Sequence, residues 1–301
     1  MAGRKKSRFA CLCEYALLRT ACGVVNAIPY PVACGLARAL ASVAVSCGFK
    51  KKRTLERIRG CFPEKSRAEA LAIAKFSLAN VLLNAVEMIR APRLTKDWIT
   101  RHVEDIALYS DRLRAVIEEG KGAVIMVPHS GNWYMAAWAM AKYGLPLFAI
   151  AARQRNPKLN AWMNRQYGDI EVLDRDNRST LIQIHQRLRD GRAFAILPDL
   201  RVRNPDVEVD FLGGRANVSH AGAAFAVNSG CPIVLAVMTR ENGRHVFHYL
   251  KALRPDPAAD KKEETRRLTR EALKLLSDEI VKHPGDWYWY NKRWILEPVK
   301  K

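Results

Sequence analysis

The chain has 301 residues, 49% of them hydrophobic and 27% charged, which suffices to bury a substantial core. Lys and Arg number 50 against 30 Asp and Glu, so the net charge of +20 calls for negative partners: a membrane surface, nucleic acid, acidic proteins or phosphorylated small molecules. Seven cysteines, six of them at or before Cys61, form no CxxC pair and give zinc little support, and without a secretion signal they argue against a disulfide scaffold. They read as reduced thiols, buried or lipid-facing.

In chain order, the first feature is an apolar stretch rich in Ala, Val, Leu and Cys between the basic clusters at 4–8 and 50–53. Residues 20–37 are uncharged and nominally long enough to span, but Pro29 and Pro31, with Gly23, Asn26 and Gly35, break them into two short helices. Basic residues on both flanks keep both ends on one side. Residues 1–56 therefore read as membrane-surface helices lying in or dipping into the cytoplasmic leaflet, with Arg19 and Arg38 reaching to headgroups. An ordinary core hairpin is the competing reading, whereas a signal peptide fits poorly because the apolar region runs on into Arg38.

Residues 57–301 read as an α/β domain. The spacing of Ala70, Leu71, Ile73, Ala74, Leu78, Val81, Leu82 and Val86 predicts a helix over 66–90 that Pro92 stops. Glu87 lies on its apolar side, and Arg90 on the same face is its expected partner. A helix over 113–119 ends at Gly120 and Gly122, a GKG that lacks the rest of a phosphate-loop pattern.

The sequence AVIMVPHSGNWY, residues 123–134, is the most informative segment. Its short uncharged run predicts a doubly covered strand over 123–127, and Gly131, Asn132 and Trp133 close the turn that follows. His129 is thereby set at a strand's carboxyl end, where open α/β sheets place their ligands. A helix over 135–143 follows, then strands at 147–152, 170–173 and 193–197 alternating with helices at 159–167 and 179–189. A helix over 221–228, a strand over 232–238, an antiparallel neighbour over 246–250 and an amphipathic helix over 265–282 complete a mostly parallel central sheet flanked by helices.

Parallel strands share a carboxyl edge, and that edge gathers His129, then Arg153 and Arg155, then Asp199, Arg201 and Arg203. A histidine, a carboxylate and several guanidiniums on one cleft suit acid/base chemistry on an anionic substrate. The arginines also fit a solvated surface. His185 follows the apolar face of Leu181, Ile184 and Leu188 and reads as core or boundary, and His220 as a helix cap or a cleft residue.

The motifs HSGNW, ARQRNPKLN, LPDLRVR, DFLGGRANVSHAGAAFA and GDWYWYNKRW, with RIRGCFPEKS ahead of them, occur in the order of a known family. Over roughly residues 15–296 the chain resembles the bacterial lipid A biosynthesis late acyltransferases, within the glycerolipid acyltransferase-like group. The resemblance implies an α/β sheet flanked by helices, working at the cytoplasmic face of the bacterial inner membrane. It implies transfer of a fatty acyl chain from acyl carrier protein to a hydroxyl of a lipid A precursor or related membrane lipid. His129 is then the general base for that hydroxyl, and donors in the turn, those of Asn132 among them, stabilise the oxyanion. Arg153 and Arg155, with Arg201 on the same edge, would hold lipid phosphates or a phosphopantetheine arm, and the basic surface would attract the acidic carrier. No metal and no dissociable cofactor is implied.

One departure matters: five residues after the histidine, where the family has a carboxylate, stands Tyr134. Either Asp199 or Glu87 replaces it in space, or the enzyme is slow, or the chain keeps the fold only to bind lipid or acyl carrier protein. Asn291, where the family's ending has histidine, is a milder departure. Nucleic-acid binding would rest only on charge and the aromatics Trp287, Tyr288, Trp289, Tyr290 and Trp294, with no helix-turn-helix, zinc or RNP signature, so none is expected. Beside Lys292 and Arg293 those rings suit a membrane interface equally.

Overall fold

Residues 123–126 are apolar at every position because both faces of their strand are covered. In the computed structural model, which describes residues 7–120, 122–202 and 207–296, this strand is central to the chain's main sheet. The part of the first basic cluster before Ser7, Lys121 of the GKG segment and Arg203 lie outside the described residues.

Four helices come first: α1 (Arg8–Ala27), α2 (Tyr30–Ser46), α3 (Lys51–Cys61) and α4 (Arg67–Arg90). The break between α1 and α2 falls at Ile28 and Pro29, as prolines at a helix start require. Gly23, Asn26 and Gly35 stay inside the helices, which run to 20 and 17 residues rather than the short pieces expected. Ser66 and Glu69 form a reciprocal capping box that starts α4. Then come α5 (Lys96–His102), β1 (Val103–Glu104), α6 (Ile106–Glu119), β2 (Ala123–Met126), α7 (Trp133–Lys142), β3 (Leu147–Ala151), α8 (Pro157–Gln166), β4 (Glu171–Asp174), α9 (Thr180–Arg189) and β5 (Ala193–Ile196). A hairpin of β6 (Val207–Phe211) and β7 (Gly214–Val218) precedes α10 (Ala221–Ser229), β8 (Ile233–Glu241), β9 (Arg244–Leu253) and α11 (Lys261–Lys282).

The seven-stranded sheet has the order β1-β9-β8-β2-β5-β3-β4, parallel throughout except for the β8/β9 pair. The chain leaves β2 for β3 and β4, returns to place β5 between β2 and β3, and sends β8 to the other side of β2. The direction of winding therefore reverses at β2, the kind of crevice where α/β folds bind ligands. Helices α5 to α7 pack one sheet face through Ile99, Leu113 and Met140. The other face carries α9, α10 and α11, the β6/β7 hairpin, α3, α4 and the aromatic tail.

The first helices pack on one side and expose apolar side chains on the other. One side of α2 packs on α4, with Ala33, Cys34 and Ala37 against Leu83 and Val86. The other side exposes Val32, Leu36, Leu40 and Val43, and α1 exposes Phe9, Leu12, Leu17 and Val24. Among the described residues, two helical stretches, Arg8–Ala27 and Arg67–Arg93, are by themselves long and apolar enough to cross a membrane. Only 6% of the first is buried against 56% of the second, so the second is apolar because it belongs to the core. The expected boundary after residue 56 falls inside α3, which is continuous there. All seven cysteines are free thiols.

Candidate active site

The β2/β5 register aligns Met126 with Ile196, so His129 and Asp199, each three residues past its strand's last pair, leave the sheet side by side. His129 Nδ1 lies 2.7 Å from Asp199 Oδ1, and the backbone N–H of His129 donates to Oδ2 at 2.8 Å. The indole Nε1 of Trp287 donates to that same Oδ2 at 2.7 Å. Burial opposes charge on Asp199, but the imidazole, the indole and the backbone N–H together hold its carboxyl below the usual range. An imidazole that keeps its Nδ1–H on this carboxylate has Nε2 left to accept a proton.

The turn between β2 and α7 is braced from below. Gly131 adopts φ +52°, and a Cβ there would stand 2.3 Å from the Met238 carbonyl, so only glycine fits. Its N–H donates to the Asp286 carbonyl at 3.0 Å, and its own carbonyl accepts from Asn84 Nδ2 at 2.7 Å. Tyr288 N–H donates to the His129 carbonyl at 2.9 Å. Asn132 is fully buried as the N-cap of α7, its Oδ1 accepting from the N–H groups of Tyr134 and Met135 while its Nδ2 donates to Glu87. Ser130 N–H bonds the Pro128 carbonyl as well, so these donors are engaged by the framework, whereas the buried Ser130 hydroxyl has no partner among the described residues.

Glu87 does not meet Arg90, which instead donates to the carbonyls of Val25 and Ile28. The distant Arg240 wins because it lies opposite on the neighbouring strand, with both guanidinium nitrogens on the carboxylate (2.8 and 2.5 Å). Tyr30 OH donates at 2.7 Å and His245 Nε2 stands 3.1 Å away. Burial works against this charge, yet Arg240 and His245 hold Glu87 well below the usual carboxylate range.

A cavity of about 490 Å³ opens beside His129. Its walls are mainly apolar, with Ile125, Val127, Ala136, Met140 and Tyr167 among them, and Arg175, Arg201 and Arg293 add guanidiniums. The imidazole stands edge-on to Trp133, with ring centroids 4.9 Å apart. Tyr134 also lines the cavity, its ring stacked on Trp138. The edge expected from sequence therefore brings His129, Asp199, Tyr134 and Arg201 together, and places Asn132 behind the turn. Arg153 pairs with Asp174 at 2.6 Å and lines a neighbouring cavity of about 410 Å³ that shares Ala151, Tyr167 and Val172 with the first. Arg155 is exposed and lines neither.

Sequence reasoning missed Trp287 as a partner of Asp199. The tail is not an interfacial belt: Trp287, Trp289, Tyr290 and Trp294 are buried under α3 and α4, the three indoles in edge-on and tilted contact with one another. Arg57 holds the tail through the carbonyls of Trp289 and Asn291, and lies over the Trp294 ring. The alternation of aromatics with GD ahead of it was a readable signal, but it also fits a buried strap. His185 is half-buried against Phe225, as its periodicity implied, and His220 is the residue ahead of α10.

Comparison with known proteins gives a consistent picture. The sequence pattern of a family described as bacterial lipid A biosynthesis acyltransferase matches residues 4–295. A phosphatidylinositol mannoside acyltransferase of Mycobacterium tuberculosis is 26% identical over 220 residues, covering 70% of this chain and 66% of that protein, just under two thirds of its length. A phosphatidylinositol mannoside acyltransferase of Mycolicibacterium smegmatis is 25% identical over 284 residues, covering 91% of this chain and 89% of that protein.

Proposed function

The chain belongs to the bacterial lipid A biosynthesis acyltransferase family, and from that we propose that it transfers a fatty acyl chain from acyl carrier protein to a hydroxyl of a membrane lipid. The acceptor is a lipid A precursor or a related anionic glycolipid; the names of the mycobacterial relatives add phosphatidylinositol mannosides to that class. His129 Nε2 takes the hydroxyl proton as the oxygen attacks the thioester carbonyl, and Asp199 keeps the ring in the required tautomer and stabilises the imidazolium. The proton passes on to the thiolate when the tetrahedral intermediate collapses. The apolar cavity holds the acyl chain, and Arg201, with Arg175 and Arg293, meets the negative charge of the intermediate or the lipid. Arg153 and Arg155 contribute to the outer anionic surface, and Asn132 acts on the site only by fixing the turn. Tyr134 is a wall of the cavity rather than a support of the histidine. No metal or organic cofactor enters the reaction.

Helices α1 and α2 lie on the cytoplasmic face of the inner membrane through their exposed apolar sides, with Arg19 and Arg38 at the headgroups. The α/β domain beyond them faces the soluble carrier.

The observation that carries this reading is the Asp199 contact with His129 Nδ1. It weighs against the rival of a binding-only homologue, whose support was the absent carboxylate at Tyr134. The test is transfer by the full chain in anionic vesicles, supplied with acyl-loaded carrier protein and either acceptor, with lipid products weighed by mass spectrometry. Acylated product is expected, and His129→Ala should abolish it. Wild-type protein that binds both ligands but transfers to neither would establish the rival instead.

A further inference from the structure

On the side of the sheet where α11 ends, three side chains from three elements converge: Glu241 at the end of β8, His248 in β9, and His283, which closes α11. Their ligating atoms all lie within 4.8 Å of one another. We propose that this cluster is a binding site for a divalent transition cation of the Zn²⁺ class. None of the three lines the cavity at His129, so the site is separate from the proposed chemistry.

The donor chemistry selects the ion. Two imidazoles and a carboxylate suit Zn²⁺ and its neighbours, whereas Mg²⁺ and Ca²⁺ prefer all-oxygen shells. Zinc bonds of about 2.0–2.1 Å in a tetrahedral shell put ligand atoms roughly 3.3–3.5 Å apart. His248 Nε2 and Glu241 Oε1 stand at 3.3 Å. The Thr239 hydroxyl lies 2.7 Å from that nitrogen and 2.8 Å from that oxygen, which fixes their spacing. The His248 and His283 rings are tilted by 36° to each other, with centroids 5.1 Å apart.

A second carboxylate stands behind the rings. Glu279 Oε1 is 3.9 Å from His248 Nδ1, the nitrogen turned away from Glu241, and 3.5 Å from His283 Nε2. Neither ring is hydrogen-bonded to it at these distances, so Glu279 contributes negative charge beside the cluster. Lys282, next in sequence to His283, engages the other oxygen of Glu279 at 2.7 Å. The guanidinium of Arg240, next in sequence to Glu241, is turned to Glu87. Half-exposed side chains leave solvent access for entry of the ion and a water as fourth ligand.

Position gives the ion a structural role. His283 is three residues from Asp286, whose carbonyl receives the N–H of Gly131, and Arg240 N–H donates to Asp286 Oδ1. An ion joining β8, β9 and the end of α11 would clamp the strap that supports the His129 turn.

The experiment is a titration of the full-length protein, stripped of metal, with Zn²⁺ in competition with a chromogenic chelator. One equivalent should bind, and His248→Ala and His283→Ala should each weaken it at least tenfold. His185→Ala should bind as the parent does. Co²⁺ loaded in place of Zn²⁺ should show the intense visible bands of a four-coordinate site, lost in His283→Ala, and Zn²⁺ should raise the melting temperature of the parent but not of that variant. Binding that both histidine substitutions leave unmoved, or less than one equivalent in the folded parent, would overturn the assignment.

Discussion

Two buried carboxylates flank the turn that bears His129, and their surroundings differ in kind. Asp199 at the open edge of the sheet meets an imidazole, an indole N–H and a backbone N–H, none of them a permanent charge. Glu87, in the interior between α4, α7 and the β8/β9 pair, is neutralised by Arg240 and further bound by Tyr30, Asn132 and His245. The contrast sets the proposed chemistry apart from the framework. A carboxylate already matched to a guanidinium has no charge left to lend a reacting imidazole, whereas one held by neutral donors keeps it.

The comparison breaks most sharply by substitution at the open edge. Asp199→Asn should lower kcat by roughly 10³–10⁴, the scale seen when a triad aspartate is lost, with the melting temperature shifted by only a few degrees. Kinetics and thermal melting on the same preparation check it, and an activity loss under tenfold would place the charge that matters elsewhere. In the interior the effect should appear as stability instead. Glu87→Gln leaves Arg240 buried without a counter-charge, at a cost of about 3–5 kcal/mol. For a chain of this size that lowers the melting temperature by on the order of 10 °C. A variant that melts as the parent does but has lost transfer would show that Glu87 belongs to the chemistry after all.

The smallest effect lies between the two regions, at Asp286. Burial raises its carboxyl from 3.8 to about 7, even though Arg240 N–H and Asn80 Nδ2 both donate to it. The folded chain thus holds this proton more tightly than the unfolded chain. The stabilisation is complete below about pH 4 and is lost as pH rises through about 7. Asp286→Asn keeps an acceptor oxygen but cannot ionise, so it should be more stable than the parent at pH 8, by at most about 4 kcal/mol, and not at pH 4. Melting curves at the two pH values decide it.

Much of this arrangement was legible. The strand, glycine turn and helix around His129 follow from a short apolar run, a positive-φ glycine and an N-capping asparagine, all of them local. The β6/β7 hairpin was overlooked, although the strict alternation of VEVDF with the turn at Leu212 and Gly213 signals it. The tail aromatics were harder, because rings that bury in a core and rings that sit at an interface share one composition. At α1 and α2 the apolar residues divide between a side of α2 packed on α4 and sides left exposed, a division that composition does not reveal.

By itself the sequence determined the parallel α/β class, the placement of His129 at a strand tip and the break at Pro29, because periodicity, propensity and turn chemistry act over a few residues. Partnership was decided only in three dimensions. Asp199 reaches His129 because the crossover inserts β5 beside β2 in one register, and Arg240 outcompetes the nearby Arg90 for Glu87 because β8 passes in front of α4. Hydrogen bonds and ion pairs act at about 3 Å, and across separations of 70 and 153 residues only the path of the chain brings the groups that close.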